Sequence, residues 1–139
     1  MEIDIKKYFL NNPRFNAILI KGKYEDFNLV SIKDKQIKII DLQILLKENK
    51  INILLIDGYN TLVNCIKELI DKENCEYIFF KNVDLILTSI TKEKRKRFFL
   101  KMLQTSFKIN LIFNTEIFKD EVLIKDYELF NFGNIINLV

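Results

Sequence analysis

The stretch EYIFFKNVDLIL, residues 76–87, changes its character in the middle. Residues 76–80 predict a strand, and after Glu76 the residues 77–80 form a short, continuous apolar run, which is typical of a strand that is covered on both faces of a sheet. Lys81 ends the run, and Asn82 and Asp84 follow, which are residue types that favour turns and helix caps. The stretch therefore predicts a buried strand that turns directly into a helix.

Five more segments predict further strands. They are AILIKG at 17–22, QIKIIDLQ at 36–43, INILLID at 51–57, INLIF at 109–113 and the tail FGNIINLV at 132–139. In INILLID the isoleucine content and the glycine that follows favour a strand over a helix.

Helical patterns lie between these runs. Residues 60–73 repeat apolar side chains at helical spacing with charged side chains opposite, and Asn60 is the predicted N-cap. A second long helix is predicted at 91–106, and short helices at 2–10 and 42–49.

Strands that alternate with helices predict one α/β domain over residues 1–139. The expected architecture has three layers, with a mainly parallel sheet and helices on both of its faces. In such sheets function concentrates at the carboxyl ends of the strands. Those ends are Gly22, Asp41, Asp57, Lys81 and Asn114.

Composition excludes several classes of chemistry. The 139 residues include no histidine, so no imidazole can act as a base or metal ligand. Cys65 and Cys75 lack the spacing of a structural zinc site, and two thiols are consistent with a reducing cytoplasm. The amino terminus has no apolar core of a signal peptide, and no apolar run approaches the length of a membrane span. A net charge of +3 does not by itself predict nucleic-acid binding.

The central part of the chain resembles a known family. An apolar strand at 78–80 is followed by Lys81-Asn82-Val83-Asp84 and by three apolar residues at 85–87. After a predicted helix come Leu103-Gln104 and then a strand that ends in Phe113-Asn114. In order and spacing this frame, over about residues 76–115, resembles P-loop ATPases, in particular the small P-loop protein of BREX phage-defence systems.

The chain departs from that family at the catalytic positions. A P-loop needs GxxxxGK[ST] to wrap the phosphates and hold Mg²⁺, but Gly22 and Lys23 are followed by Glu25 and Asp26. The Walker B aspartate aligns with Lys81. The resemblance therefore implies a degenerate P-loop domain. Such a domain would be a non-catalytic accessory subunit that has no cofactor and binds a partner protein. The remnants of its nucleotide site would be Gly22, Lys23, Lys81, Asn82, Asp84 and Asn114.

An alternative function follows from LLIDGYN, residues 54–60. This segment resembles the first motif of NYN and PIN-like nucleases, which cluster carboxylates at strand ends to hold Mg²⁺ or Mn²⁺. That reading implies a metal-dependent ribonuclease with Asp57 as first ligand, supported by Asn60 and by Asp84 or Asp120.

The basic run KEKRKR, residues 92–97, is a candidate surface for DNA or for an acidic partner. Its predicted contact residues are Lys94, Arg95, Arg97 and Lys101, three of which share one side of a helix. The alternative is a solvated helix face with phenylalanines turned inward.

Overall fold

A computed structural model of the protein describes residues 1–11, 16–55, 58–117 and 135–138. The main sheet contains β2 (Ala17–Lys21), β4 (Ile37–Asp41), β5 (Tyr77–Lys81), β6 (Asn110–Thr115) and β7 (Ile135–Asn137). All five strands are parallel, in the order β4-β5-β6-β2-β7. A separate parallel pair joins β1 (Glu2–Asp4) to β3 (Asn28–Val30).

The central strands are apolar on both faces because both faces are covered. Along β2, Ala17 and Leu19 belong to one core, whereas Ile18 and Ile20 belong to the core on the other side. The same alternation places Phe80 and Phe113 on the first side, where their rings stack with centroids 4.9 Å apart. Successive side chains of a strand point to opposite faces, so continuous hydrophobicity buries both.

Four helices supply the first core: α2 (Leu42–Glu48), α3 (Gly58–Lys72), α4 (Val83–Leu87) and α5 (Lys92–Gln104). The opposite core is completed by Phe27 and by α1 (Ile5–Asn11), which contributes Ile5 and Phe9. The predicted α/β class, with a mainly parallel sheet and helices on both faces, is therefore confirmed. No helix in the described ranges is long and apolar enough to cross a membrane.

The connection from β2 to β4 contains no α-helix. Residues 22–36, all of which the structure describes, form two short 3-10 turns at Tyr24–Asp26 and Asp34–Gln36 with β3 between them. This irregular connection leaves part of the sheet face beside β4 open to solvent, and Ile39 on that face is 57% exposed.

The predicted strand at 51–57 is wrong for the residues that can be compared. Residues 51–55 form a turn in which the N–H of Leu55 bonds to the carbonyl of Asn52 and the N–H of Gly58 to that of Leu55. β4 and β5 pair directly with each other, so no position remains between them for another strand. The isoleucine content of this segment favoured a strand, but Ile53 is buried although it lies in a turn.

Two predicted boundaries also change. Helix α3 begins at Gly58, so Asn60 lies within its first turn and is not the N-cap. Residues 2–10 were predicted as one helix, but residues 2–4 pair with β3 and only the remainder is helical. At residues 2–4 the pairing with β3 overrides the local helical pattern.

Candidate functional site

A cleft of about 520 Å³ opens at the carboxyl ends of β5 and β6. Four residues predicted as remnants of a nucleotide site line it, namely Lys81, Asn82, Asp84 and Asn114. The sheet therefore brings these side chains together, as expected for strand ends in a parallel sheet. What the site can do depends on whether their polar groups are free.

Asn82 and Asp41 bind each other across two strand ends. Asn82 has a left-handed backbone, with φ 59° and ψ 28°, and its side-chain N–H donates to a carboxylate oxygen of Asp41. The other carboxylate oxygen of Asp41 accepts from the N–H of Ile44, 3.2 Å away, and caps α2. The pair fastens the turn after β5 to the start of α2.

The pKa of Asp41 lies below its ordinary value. Burial, the largest influence, would raise this pKa. The hydrogen bond from Asn82, those from the backbone N–H groups of Ile44 and Gln43, and the charge of Lys81 together outweigh it. Asp41 and Lys81 are also partners in the strand register, and the charge of Lys81 is the smallest of the influences that lower this pKa.

Both carboxylate oxygens of Asp84 also accept hydrogen bonds from within the protein. One of its carboxylate oxygens accepts from the hydroxyl of Thr115, and the other accepts from the N–H of Glu116 at 2.9 Å. Thr115 is almost fully buried at the end of β6. Asp84 therefore ties α4 to the end of the neighbouring strand.

Asn114 closes the end of β2. Its side-chain amide donates to the carbonyl oxygens of Ile20 and Gly22, both at 3.0 Å. Gly22 has φ +153°, and a Cβ there would lie 2.8 Å from the side chain of Leu138. The glycine is thus required by its own backbone geometry and by close packing against the end of the chain.

A phosphate group would find no helix amino terminus after β2. Lys23 is exposed and precedes a 3-10 turn that contains Glu25 and Asp26. P-loops bind phosphate with backbone N–H groups at the start of a helix, aided by the helix dipole. Residues 22–36 supply no α-helix, and the turn directly after β2 carries two carboxylates in place of a cationic group.

Several residues of the site were not predicted from the sequence. Tyr24, Ile39, Leu85 and Glu116 also line the cleft, and Lys21 at the end of β2 is only 1% exposed. The exposed apolar residues lie on three separate elements, a 3-10 turn, β4 and α4, so no local sequence pattern groups them. Lys21 could have been noticed, since a lysine ends an otherwise apolar strand whose alternation directs it towards the first core.

The structure describes two of the four residues that the nuclease hypothesis names. Asn60 is exposed in the first turn of α3, and Asp84 binds Thr115 and Glu116. Asp57 and Asp120 lie outside the described residues. Among the residues that are described, no group of three or more histidine, cysteine, aspartate or glutamate side chains is placed to hold a metal ion.

The basic residues of α5 divide into engaged and exposed ones. Arg95 donates from Nε to the carbonyl of Leu87 at 2.7 Å, and Arg97 forms an exposed ion pair with Glu93. The carbonyl of Lys94 accepts from the hydroxyl of Tyr59, and its side chain is half-buried. Lys101 is exposed. Of the four predicted contact residues, Arg95 therefore has its charged group bound to a backbone carbonyl, whereas Arg97 and Lys101 are exposed.

Comparison with known proteins adds no relative. No family model, no curated protein and no solved structure matches the chain.

Proposed function

We propose that the protein is a non-catalytic interaction subunit built on a degenerate P-loop-like fold. The observation that carries the proposal is the state of the cleft at the ends of β5 and β6. Lys81 stands where the resembled family has its Walker B aspartate, and an ammonium there opposes a metal cation. The polar groups of Asn82, Asp84 and Asn114 are bound to other parts of the protein.

The order of the strands supports the relationship to P-loop proteins. β2, which ends before Gly22, and β5, which ends in Lys81, are separated by β6. Because the strands of the sheet are parallel, the two strand ends that the resemblance compares with the Walker A and Walker B positions lie at the same edge of the sheet. We therefore propose that the protein has the sheet of a P-loop protein but differs from that family at the ends of β2 and β5.

The connection after β2 supports the loss of catalysis. In the resembled family a helix follows the first strand and its amino terminus receives the phosphates, but here residues 22–36 contain only 3-10 turns and β3. Glu25 and Asp26 add negative charge at that place. Two independent departures, at the ends of β2 and of β5, favour a binding role.

The partner is proposed by resemblance alone. We infer a protein partner in a phage-defence assembly of the BREX type, since that is where the resembled P-loop protein acts. Contact with DNA through α5 is the second proposal for the same assembly, and it rests on the exposed side chains of Arg97 and Lys101.

Thermal denaturation in the presence of Mg-ATP tests the proposal. A ligand that binds the native state raises Tm. At one hundred times its Kd it adds about 2.7 kcal/mol to the free energy of unfolding. We expect no saturable rise in Tm up to millimolar Mg-ATP, and no release of phosphate. A saturable rise that requires Mg²⁺ would contradict the proposal.

A second assay addresses the nuclease alternative. The protein is incubated with single-stranded RNA and with DNA in Mn²⁺, beside its Asp57→Asn variant. We expect both proteins to leave the substrates intact. Cleavage by the wild type that the variant loses would establish the nuclease in place of the interaction subunit.

A further inference from the structure

The cleft beside Lys81 has the apolar lining of a binding site. Tyr24, Ile39 and Leu85 line it although they are 58%, 57% and 55% exposed, and the buried ring of Phe79 forms part of its wall. Exposed apolar side chains that gather around one concavity mark interaction sites on protein surfaces. A volume of about 520 Å³ accommodates a large side chain together with its neighbours.

Tyr24 offers an aromatic ring in a fixed position. Its ring meets Phe27 and Phe79 edge-on, with both centroid separations at 5.7 Å, so two buried side chains hold it. More than half of the residue is still exposed at the cleft. A positioned ring of this kind attracts cations to its face.

The charges around the cleft also favour a cation. Glu25, Asp84 and Glu116 line it with three carboxylates, whereas Lys81 supplies one ammonium. None of the three carboxylates has a cationic partner among the residues that the structure describes. An anion such as a nucleotide would meet a net negative rim, and a cation would meet complementary charge.

We propose that this cleft binds an arginine side chain presented by a partner protein. The aliphatic stem packs against Ile39 and Leu85, and the guanidinium reaches Tyr24 with the carboxylates of Glu25 and Glu116. Arginine fits better than lysine because its planar group stacks on aromatic rings and binds carboxylates through paired N–H donors. This inference deepens the proposed function and rests on it, since it names the chemistry of the partner.

The test uses the full chain, labelled with ¹⁵N, and the peptide acetyl-Val-Arg-Val-amide. The same peptide with citrulline in place of arginine keeps the shape but not the charge. We expect saturable shifts of the amide signals of Tyr24, Ile39 and residues 81–85 with the arginine peptide. Binding of the citrulline peptide should be about two- to tenfold weaker, the effect of losing two exposed charge pairs.

Variants identify the carboxylates. Glu25→Gln combined with Glu116→Gln should weaken binding of the arginine peptide by about two- to tenfold. The control, Glu48→Gln combined with Glu68→Gln, removes equal charge from exposed sites outside the cleft and should leave binding unchanged. All four residues are exposed, and a thermal melt confirms that each variant is folded.

The inference is overturned if the arginine peptide causes no shifts at millimolar concentration, if both peptides bind equally, or if the control double variant weakens binding as much. Each of these results leaves the Mg-ATP assay unaffected. Conversely, binding of Mg-ATP would contradict the proposed function whatever the peptides do, so the two failures are distinguishable.

Discussion

The side-chain amide of Asn114 on β6 donates a hydrogen bond to the carbonyl oxygen of Gly22, 3.0 Å away at the end of β2. The same amide donates to Ile20, so a single side chain serves two carbonyls where β2 leaves the sheet. In a P-loop protein this is where the chain would begin to wrap a phosphate. Here the two carbonyl oxygens at the end of β2 are bound by the side chain of Asn114, which gives this residue a structural role.

Asn114→Ala should lower the free energy of unfolding by about 1–3 kcal/mol, because two carbonyl oxygens lose their donor. Asn114→Asp should cost more at neutral pH, since its carboxylate would face those oxygens without a proton to donate. Urea denaturation measures both. Asn64→Ala, at an exposed position of α3, provides the comparison, and an equal loss there would show that Asn114 has no special role.

Gly58→Ala should destabilise the protein although alanine is the better helix former. A Cβ at Gly58 would lie 2.3 Å from the carbonyl oxygen of Asn52 and 2.7 Å from the Cα of Ile53. These are backbone atoms, so the turn itself must move, and we expect a loss of about 2 kcal/mol or more. Intrinsic propensity alone predicts a gain of about 1 kcal/mol.

The sign of the change therefore decides between contact and propensity. Asn60→Ala, at an exposed position of the same helix, supplies the control and should be neutral or slightly stabilising in thermal melts. Stabilisation by Gly58→Ala would show that the close approach to Asn52 is not maintained in solution.

The sheet could be predicted because its strands are buried on both faces, which leaves a continuous apolar run in the sequence. β2, β5 and β6 were found in this way, and Gly22, Lys81 and Asn114 were correctly placed at strand ends. INILLID carries the same signal without forming a strand over residues 51–55, because apolar content does not distinguish a strand from a turn that packs on a core.

The cleft could be predicted only in part. Lys81, Asn82, Asp84 and Asn114 follow from their strand ends, but their hydrogen-bond partners do not, since Asn82 and Asp41 are 41 residues apart. Long-range pairs of this kind depend on strand order, which local pattern does not determine. Tyr24 enters the cleft for the same reason, through its contact with Phe79 on β5.

The two arginines of the basic run should differ in their effect on stability. Arg95→Met removes the donor to the carbonyl of Leu87 while keeping the aliphatic stem, and should cost about 1–2 kcal/mol in urea denaturation. Arg97→Met breaks only an exposed pair with Glu93 and should cost about 0.5 kcal/mol or less. Equal effects would contradict the structural role of Arg95.

The cysteines should react slowly with alkylating reagents. Burial, reinforced by the charge of Glu68, raises the pKa of Cys65, and burial with Glu73 raises that of Cys75. Fewer thiolates are then present near pH 7.5, and the thiolate is the nucleophile. Mass spectrometry after iodoacetamide treatment should show slower labelling than in the urea-unfolded chain.

Glu68→Gln gives that measurement a site-specific control. Removal of this carboxylate should speed the alkylation of Cys65 and leave Cys75 unchanged, because only Cys65 is influenced by Glu68. If both cysteines accelerate together, loosening of the fold and not charge is the cause.

Stability should fall in acid partly through Asp41. Its pKa is lower in the folded protein than in the unfolded chain, where aspartate titrates near about 3.9. Ionised Asp41 therefore stabilises the fold above the unfolded pKa, and this contribution is lost as the pH falls through the lower, folded pKa. Asp41→Asn cannot titrate but can still cap α2, so its stability should fall less steeply below about pH 4.

Asn82→Gly isolates the hydrogen bond from the turn. Glycine accepts the left-handed backbone of this residue, with φ 59°, but has no amide to donate to Asp41. The pKa of Asp41, followed by the NMR shift of its carboxyl carbon, should rise in this variant because the first of the influences that lower it is gone. An unchanged pKa would mean that the N–H groups at the start of α2 and the charge of Lys81 suffice to hold the carboxylate ionised.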